Sequence, residues 1–409
     1  MHGSWARYTV FGTAELEQQV RSLVCDVAAI VDRLMKPKDY RSLVLLGGYG
    51  RGEGGVEVRG DEAFPHNNLD FLLITRKMNS RRQAACRAEI DSAMAPVREK
   101  YGIGIDFSTI GVSKLRRSPS LVMWYDMRYG HRTVLGDAEF VPSLKQFSVD
   151  KIPAWNVRDL LVNRGTLFVI NDMLMAAQLP PEQVGRPVVK HVMKAIIGYG
   201  DALLYHLGRY HWSYGEKQRR MQTSWETSDA FRELYEEAIS FRFQPNYESY
   251  LERDFATWMD DLRDVLSPVH LHCEENRLKR HGMTWESYLR AALREALWTD
   301  ARSPRGVAKK AVNLVRGPRC RVSGSWQATL GGRVTGMRGV LPILFPIVAY
   351  KLQSTELRST AALILGAEDD STSELRRCYL RQWGRYGDDN FVSFLNANGV
   401  SLDQPEVCI

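Results

Sequence analysis

Apolar residues recur at helical spacing through residues 14–35, at Leu16, Val20, Leu23, Val24, Val27, Ile30, Val31 and Leu34, and predict one amphipathic helix. Lys36-Pro37-Lys38-Asp39 ends it, and the unbroken run Leu43-Val44-Leu45-Leu46 predicts a short buried strand. A glycine-rich stretch follows, then a second strand over 69–74, a helix over 81–99 and a third strand over 103–110. Strands separated by helices predict an α/β domain over residues 1–150.

From about 151 the pattern turns helical. Residues 155–177 form one predicted helix, stopped by Leu179-Pro180-Pro181; a second starts near Arg186-Pro187 and runs to about Tyr210. Residues 227–241 and 248–265 add two more, which makes 151–300 a predicted helical domain. The remainder, 301–409, holds a basic helix over 303–318, a Gly-rich connector over 323–339 and an apolar run over 339–350. A further helix follows Ser371-Thr372-Ser373-Glu374, which has capping-box form. The expected class is α+β: an α/β domain followed by a mainly α-helical region.

Composition narrows the field. A chain of 409 residues suits two or three domains, and 44% hydrophobic with 25% charged residues excludes disordered and fibrous classes. No window reaches the roughly 18–20 apolar residues of a membrane span. The first residues, Met1-His2-Gly3-Ser4-Trp5-Ala6-Arg7, lack a signal-peptide core, so a cytoplasmic location is expected. Cysteines at 25, 86, 273, 320, 378 and 408 form no close pair, which argues against a disulfide framework or a zinc site.

Charge is uneven. Residues 301–355 contain no acid and ten bases: Arg302, Arg305, Lys309, Lys310, Arg316, Arg319, Arg321, Arg333, Arg338 and Lys351. Removing those ten from the net charge of +7 leaves −3 on the other 354 residues. One segment therefore carries the entire surplus.

The chemistry-bearing stretch is Gly47-Gly48-Tyr49-Gly50-Arg51-Gly52-Glu53, directly after the first predicted strand. Backbone free of side chains can approach a phosphate, and a helix start there would present free N–H groups. Asp70 begins the second predicted strand and Asp106 lies in the third. Two carboxylates on neighbouring strands beside such a turn suit Mg²⁺, which takes a few carboxylates plus phosphate oxygens.

This combination resembles the nucleotidyltransferase fold of the DNA polymerase beta superfamily, and its glycine string is similar to that of the uridylyltransferases that modify the nitrogen-regulatory PII protein. The family pattern of Gly-Gly, Asp-x-Asp and a third Asp aligns with Gly47-Gly48, Asn68-Leu69-Asp70 and Asp106. Tyr125-Asp126-Met127-Arg128-Tyr129-Gly130 and Val134-Leu135-Gly136-Asp137 are similar to the segment that closes such domains, so the likeness covers about residues 40–140.

The resemblance implies a Mg²⁺- or Mn²⁺-dependent transfer of a nucleoside monophosphate from a nucleoside triphosphate to a hydroxyl of a small molecule, lipid-linked sugar or protein. It implies catalytic Asp70 and Asp106, metal ligands Asn68, Asp70 and Asp106, and phosphate contacts from Gly47, Gly48, Arg51 and Lys194. It also departs from the pattern. Asn68 replaces the first Asp, and a fourteen-residue insertion, 54–67, offers Glu57, Asp61 and Glu62 as substitute acids or forms a solvated loop. The amide motivates the alternative of a weakened nucleotide-binding or scaffold protein at a membrane surface.

In the helical half, Lys190, Lys194, Asp201 and Tyr205 share a helix face, and Tyr210, Trp212, Tyr214 and Lys217 suit either an acceptor pocket or a helix end. His270-Leu271-His272-Cys273 fits no compact metal pattern and reads as structural. On the basic helix Val307, Ala308, Ala311, Leu314 and Val315 gather opposite Arg302, Arg305, Lys309 and Arg316. Such a helix suits an anionic membrane surface through 301–351, and equally phosphate backbones of an RNA or tRNA substrate. Few aromatics interleave with the bases (only Trp326 before Phe345), which favours peripheral attachment at the inner membrane face over nucleic acid. The uncharged run 339–350 covers about 18 Å as a helix, too short to span a bilayer, and reads foremost as core.

Overall fold

The computed structural model describes residues 7–299, 301 and 303–402. Arg302 of the basic face, Cys408 and the six initial residues lie outside the described residues. The layout is α+β, a small mixed sheet with a largely helical remainder. Two compact units make up the chain. One comprises the chain up to Asn156 together with Arg209–Thr227 and Arg232–Asn246; the other comprises Val157–Gly208, Ser228–Phe231 and the chain from Tyr247 onward. The division is thus discontinuous, where the sequence pattern suggests linear boundaries at 150 and 300.

The strands of the first unit are β1 Tyr40–Leu45, β2 Gly55–Arg59, β3 Glu62–His66, β4 Leu69–Thr75, β5 Ile105–Gly111 and β6 Arg132–Gly136. Four of them form a sheet in the order β5-β4-β1-β6, with β1 antiparallel to β4 and β6, and β4 parallel to β5. Alternation of side chains sends Leu43, Leu45, Phe71 and Leu73 to one face, against Val20 and Val27 of helix Ala14–Leu34 and Ile90 of helix Ser80–Ala93. Val44, Leu72 and Ile74 go to the other, against Leu115, Trp124, Met127, Phe140 and Phe147. Both faces are covered, so β1 and β4 read as nearly continuous apolar runs.

Several elements differ from the sequence pattern: the Gly-rich connector expected over 323–339 contains helix Trp326–Thr335, and the helix expected over 248–265 is split into Glu248–Leu251 and Phe255–Leu278. The helix expected over 81–99 is broken at Met94 into Ser80–Ala93 and Ala95–Tyr101, because Pro96 lacks an N–H and fits only the first turn of a helix. The insertion at 54–67 is a β-hairpin rather than a solvated loop: β2 pairs with β3 from Gly55↔His66 at its base to Arg59↔Glu62 at its tip.

In the described residues the second unit is built of helices, among them Pro181–His206, Phe255–Leu278, Trp285–Trp298, Pro304–Arg316, Trp326–Thr335, Met337–Ala349 and Thr372–Tyr386. The apolar run forms Met337–Ala349, and every residue from Val340 to Ala349 is buried, as the core reading expects. Phe345 packs against Gly165, where an added Cβ would lie 2.4 Å from its ring. His270 is buried and hydrogen-bonded through Nδ1 to the Tyr350 hydroxyl at 2.9 Å, while burial pushes its pKa down to about 4, so the imidazole is a neutral core group. Among the described residues no helix is long and apolar enough to cross a membrane.

Candidate active site

At the end of β1 the chain turns into one short helix, Gly47–Arg51, closed by Gly52 in a left-handed conformation. Leu46 N–H donates to the Asp70 carbonyl at 2.8 Å, tying the turn to β4. Gly47 has φ +63°, and a Cβ there would lie 2.5 Å from Asp70 Oδ2, so only glycine lets the backbone rest against that carboxylate. Gly50 is required by packing, since a Cβ would sit 2.3 Å from the Leu45 carbonyl oxygen. The string thus has a steric origin at Gly47 and Gly50.

Asp70 and Asp106 are direct partners in the parallel β4–β5 register. Side chains of paired residues in a parallel ladder project to the same face, so the two carboxylates stand side by side at the strand starts; Asp106 is exposed and Asp70 half-buried. Asn68, two residues before Asp70, points to that same side. Its Nδ2 donates to Asp106 Oδ2 at 3.1 Å, and Gly104 leaves the room it occupies, a Cβ there falling 2.4 Å from Asn68 Oδ1. The preceding Asn67 has φ +72°, a left-handed conformation asparagine tolerates, and reverses the chain from the hairpin into β4. Gly47, Asn68, Asp70 and Asp106 are therefore brought together.

The substitute acids are not. Glu57 is buried and its two oxygens accept from Arg59 at 2.9 and 3.0 Å. Asp61 and Glu62 lie at the hairpin tip, about 13 Å along the strands from the base at the usual rise of roughly 3.3 Å per residue. Among the described residues no group of three His, Cys, Asp or Glu converges as a metal site, so the oxygen donors at the strand starts are two carboxylates and an amide.

Arg51 is buried rather than a surface residue. Its Nη2 pairs with Asp126 Oδ2 at 2.9 Å and its guanidinium lies 4.7 Å from the centre of the Tyr214 ring. Burial opposes the charge, but Asp126, then Tyr214 and Glu53, raise the pKa and hold it cationic. Asp126 also accepts from the Tyr210 hydroxyl at 3.0 Å, to which Lys217 Nζ donates at 3.3 Å. Arg242 covers the Tyr214 ring at 4.0 Å, and a Cβ on Gly48 would lie 3.1 Å from its Nη2. Glu53 accepts from Ser213 Oγ at 2.6 Å, Tyr214 N–H at 2.9 Å and Gly215 N–H at 3.2 Å, capping helix Tyr214–Gln222. The glycine turn is thereby bolted to residues some 160–190 positions away in the chain. Nε and Nη1 of Arg51 and Nε of Arg242 are buried without a hydrogen-bond partner among the described residues.

Sequence reasoning missed Glu53, Asp126 and Arg242 as members of this cluster. Glu53 ends the glycine string and Asp126 lies in the closing segment, both quoted above without a role, but Arg242 carries no local signal. Tyr210, Tyr214 and Lys217, left between an acceptor pocket and a helix end, form the aromatic and cationic wall of the cluster. Lys194 belongs to the second unit, on helix Pro181–His206. Comparison with protein-family models, curated proteins and solved structures returns no match.

Proposed function

We propose that the first unit is a nucleotidyltransferase that moves a nucleoside monophosphate from a triphosphate to a hydroxyl acceptor. The observation carrying this reading is the register: Asp70 and Asp106 are neighbours on parallel strands, and a glycine turn from the antiparallel strand lies against Asp70. The donor set fits Mg²⁺, which commonly takes one or two carboxylates with water and substrate phosphate as remaining ligands; Asp70 and Asp106 would hold it, with the Asn68 amide beside them. When bound, the cation would supply Lewis-acid stabilisation of the entering and leaving oxygens.

The chain's own groups account for the rest. Asp106, the exposed carboxylate, takes the proton from the acceptor hydroxyl as that oxygen bonds to the α-phosphorus. The bond from α-phosphorus to the bridging oxygen breaks and pyrophosphate leaves with the electron pair. Arg51 within the turn and Arg242 beside Gly48 bring guanidinium groups to it, which suits an anionic ligand because charge-assisted hydrogen bonds to phosphate are stronger than neutral ones. Positioning and electrostatics supply most of such a rate.

The test is incubation with Mg²⁺, each α-labelled nucleoside triphosphate and a boiled small-molecule extract as acceptor source. Label transfer with pyrophosphate release, reduced at least about 100-fold by Asp70→Ala and by Asp106→Ala, supports the reading. A second reading, a nucleotide-binding protein without turnover, is favoured by the Asn68 amide engaging Asp106. Nucleotide binding with no label transfer in wild type or in Asn68→Asp would establish it and refute the first.

A further inference from the structure

The basic helix of the second unit is mounted with its apolar side outward. Setting Val307 at zero and turning about 100° per residue, Leu314, Val307, Ala311, Val315, Ala308 and Val312 sweep an arc from about 340° through zero to about 140°. All six are exposed, Val315 at 86%, Val312 at 53% and Val307 at 52%. The side facing the protein is small and polar instead. Gly306 is buried, Asn313 Nδ2 donates to the Val334 carbonyl at 2.9 Å, and Lys310 Nζ donates to the Ala296 carbonyl at 2.8 Å. Ser303 caps the helix start by accepting from Gly306 N–H at 3.0 Å. The helix is therefore anchored by polar contacts, and its hydrophobic stripe has no cover among the described residues.

We propose that this stripe docks the protein on an anionic lipid bilayer. Arg305, Arg316 and Lys309 lie at about 160–200° and flank the apolar arc along one edge, where they reach headgroup phosphates while the valines enter the acyl boundary. Charge complementarity extends beyond the helix, because no acid occurs anywhere in residues 301–355. Trp298 and Trp326, at the end and start of the helices adjoining this segment, are 67% and 70% exposed, as indoles are at a membrane interface. A second copy is the poorer occupant, since a two-fold contact through the stripe would bring two basic edges together. A nucleic-acid backbone would use the bases and leave the valines in water.

The experiment is flotation of the full chain with vesicles of phosphatidylcholine alone or with about one third phosphatidylserine. Binding is expected only to the anionic vesicles, with a blue shift of tryptophan emission. Arg305→Gln/Lys309→Gln/Arg316→Gln should weaken it roughly 100-fold at about one tenfold step or less per base. Val312→Glu/Val315→Glu should weaken it at least about tenfold with an unchanged melting temperature, because both positions are exposed and Glu is a good helix former. Absence of flotation, or flotation unaltered by the valine variants, overturns the proposal. So does conversion of a dimer to a monomer by the valine variants in light scattering, which would identify a second copy as the occupant.

Discussion

Asn68→Asp restores the carboxylate that the strand register leaves out, and its effect can be worked from one distance. In wild type Asn68 Nδ2 donates to Asp106 Oδ2 at 3.1 Å, both groups being exposed. The substitution removes that hydrogen bond, a net loss of about 1 kcal/mol. It also sets two negative oxygens near that separation, which costs about 1 kcal/mol in a water-like dielectric. Without divalent cation the variant should be less stable by about 2 kcal/mol, a melting decrease of about 4–8 °C for a domain of this size. Mg²⁺ reverses the sign, since three carboxylates then converge on one cation: at a concentration 100 times the dissociation constant, binding adds about 2.7 kcal/mol. Thermal melts of wild type and variant in EDTA and across a Mg²⁺ series, with calorimetric titration, measure both halves. If the variant melts no lower than wild type in EDTA, the Asn68–Asp106 contact is wrong. If Mg²⁺ stabilises the two proteins equally, the three side chains do not face one cation, and the proposed metal site fails with them.

Three further expectations follow from the same geometry. Asp126→Ala strips the partner from the buried Arg51 and should cost about 3–5 kcal/mol in urea denaturation, with Asp126→Asn milder because an acceptor remains. Gly50→Ala drives a Cβ to 2.3 Å from the Leu45 carbonyl and should destabilise by about 3 kcal/mol or prevent folding, whereas Gly60→Ala at the open hairpin tip, with φ +60°, should cost about 1 kcal/mol; equal effects would refute the packing account. Burial depresses His270 to about 4, below the value near 6.5 of an unfolded chain, so the unfolded state takes up the proton first as pH falls. Its contribution is intact above about pH 6.5 and is lost between about pH 6.5 and 4, to the extent of about 3 kcal/mol, and His270→Phe should flatten that limb of the stability profile.

What the sequence makes legible is whatever a short window can hold. The buried strands around Val44 and Leu72 stand out because both sheet faces are covered and the runs are nearly continuously apolar, and the strand around Phe107 by its alternation of buried Ile105 and Phe107 with exposed Asp106 and Ser108. β6 is an edge strand of half-exposed residues and has no such run, and the β2–β3 hairpin alternates too briefly, with Pro65 in it, to register as strand. The same limit governs the site. Gly47, Asp70 and Asp106 are visible as a motif because each sits at a strand end that the local pattern reveals. The clamp of Glu53 on Ser213, Tyr214 and Gly215, and the stacking of Arg242 on Tyr214, join segments that nothing nearby in the chain connects. Helix Pro304–Arg316 marks the limit most sharply. Its periodicity states that two faces differ, and the ordinary inference buries the apolar one. Orientation is decided elsewhere, by the carbonyls of Ala296 and Val334 that accept from Lys310 and Asn313 on the side where Gly306 is buried. An amphipathic pattern therefore predicts a helix from its own residues but predicts its inward face only together with the surface that receives it, and here that surface selects the polar side.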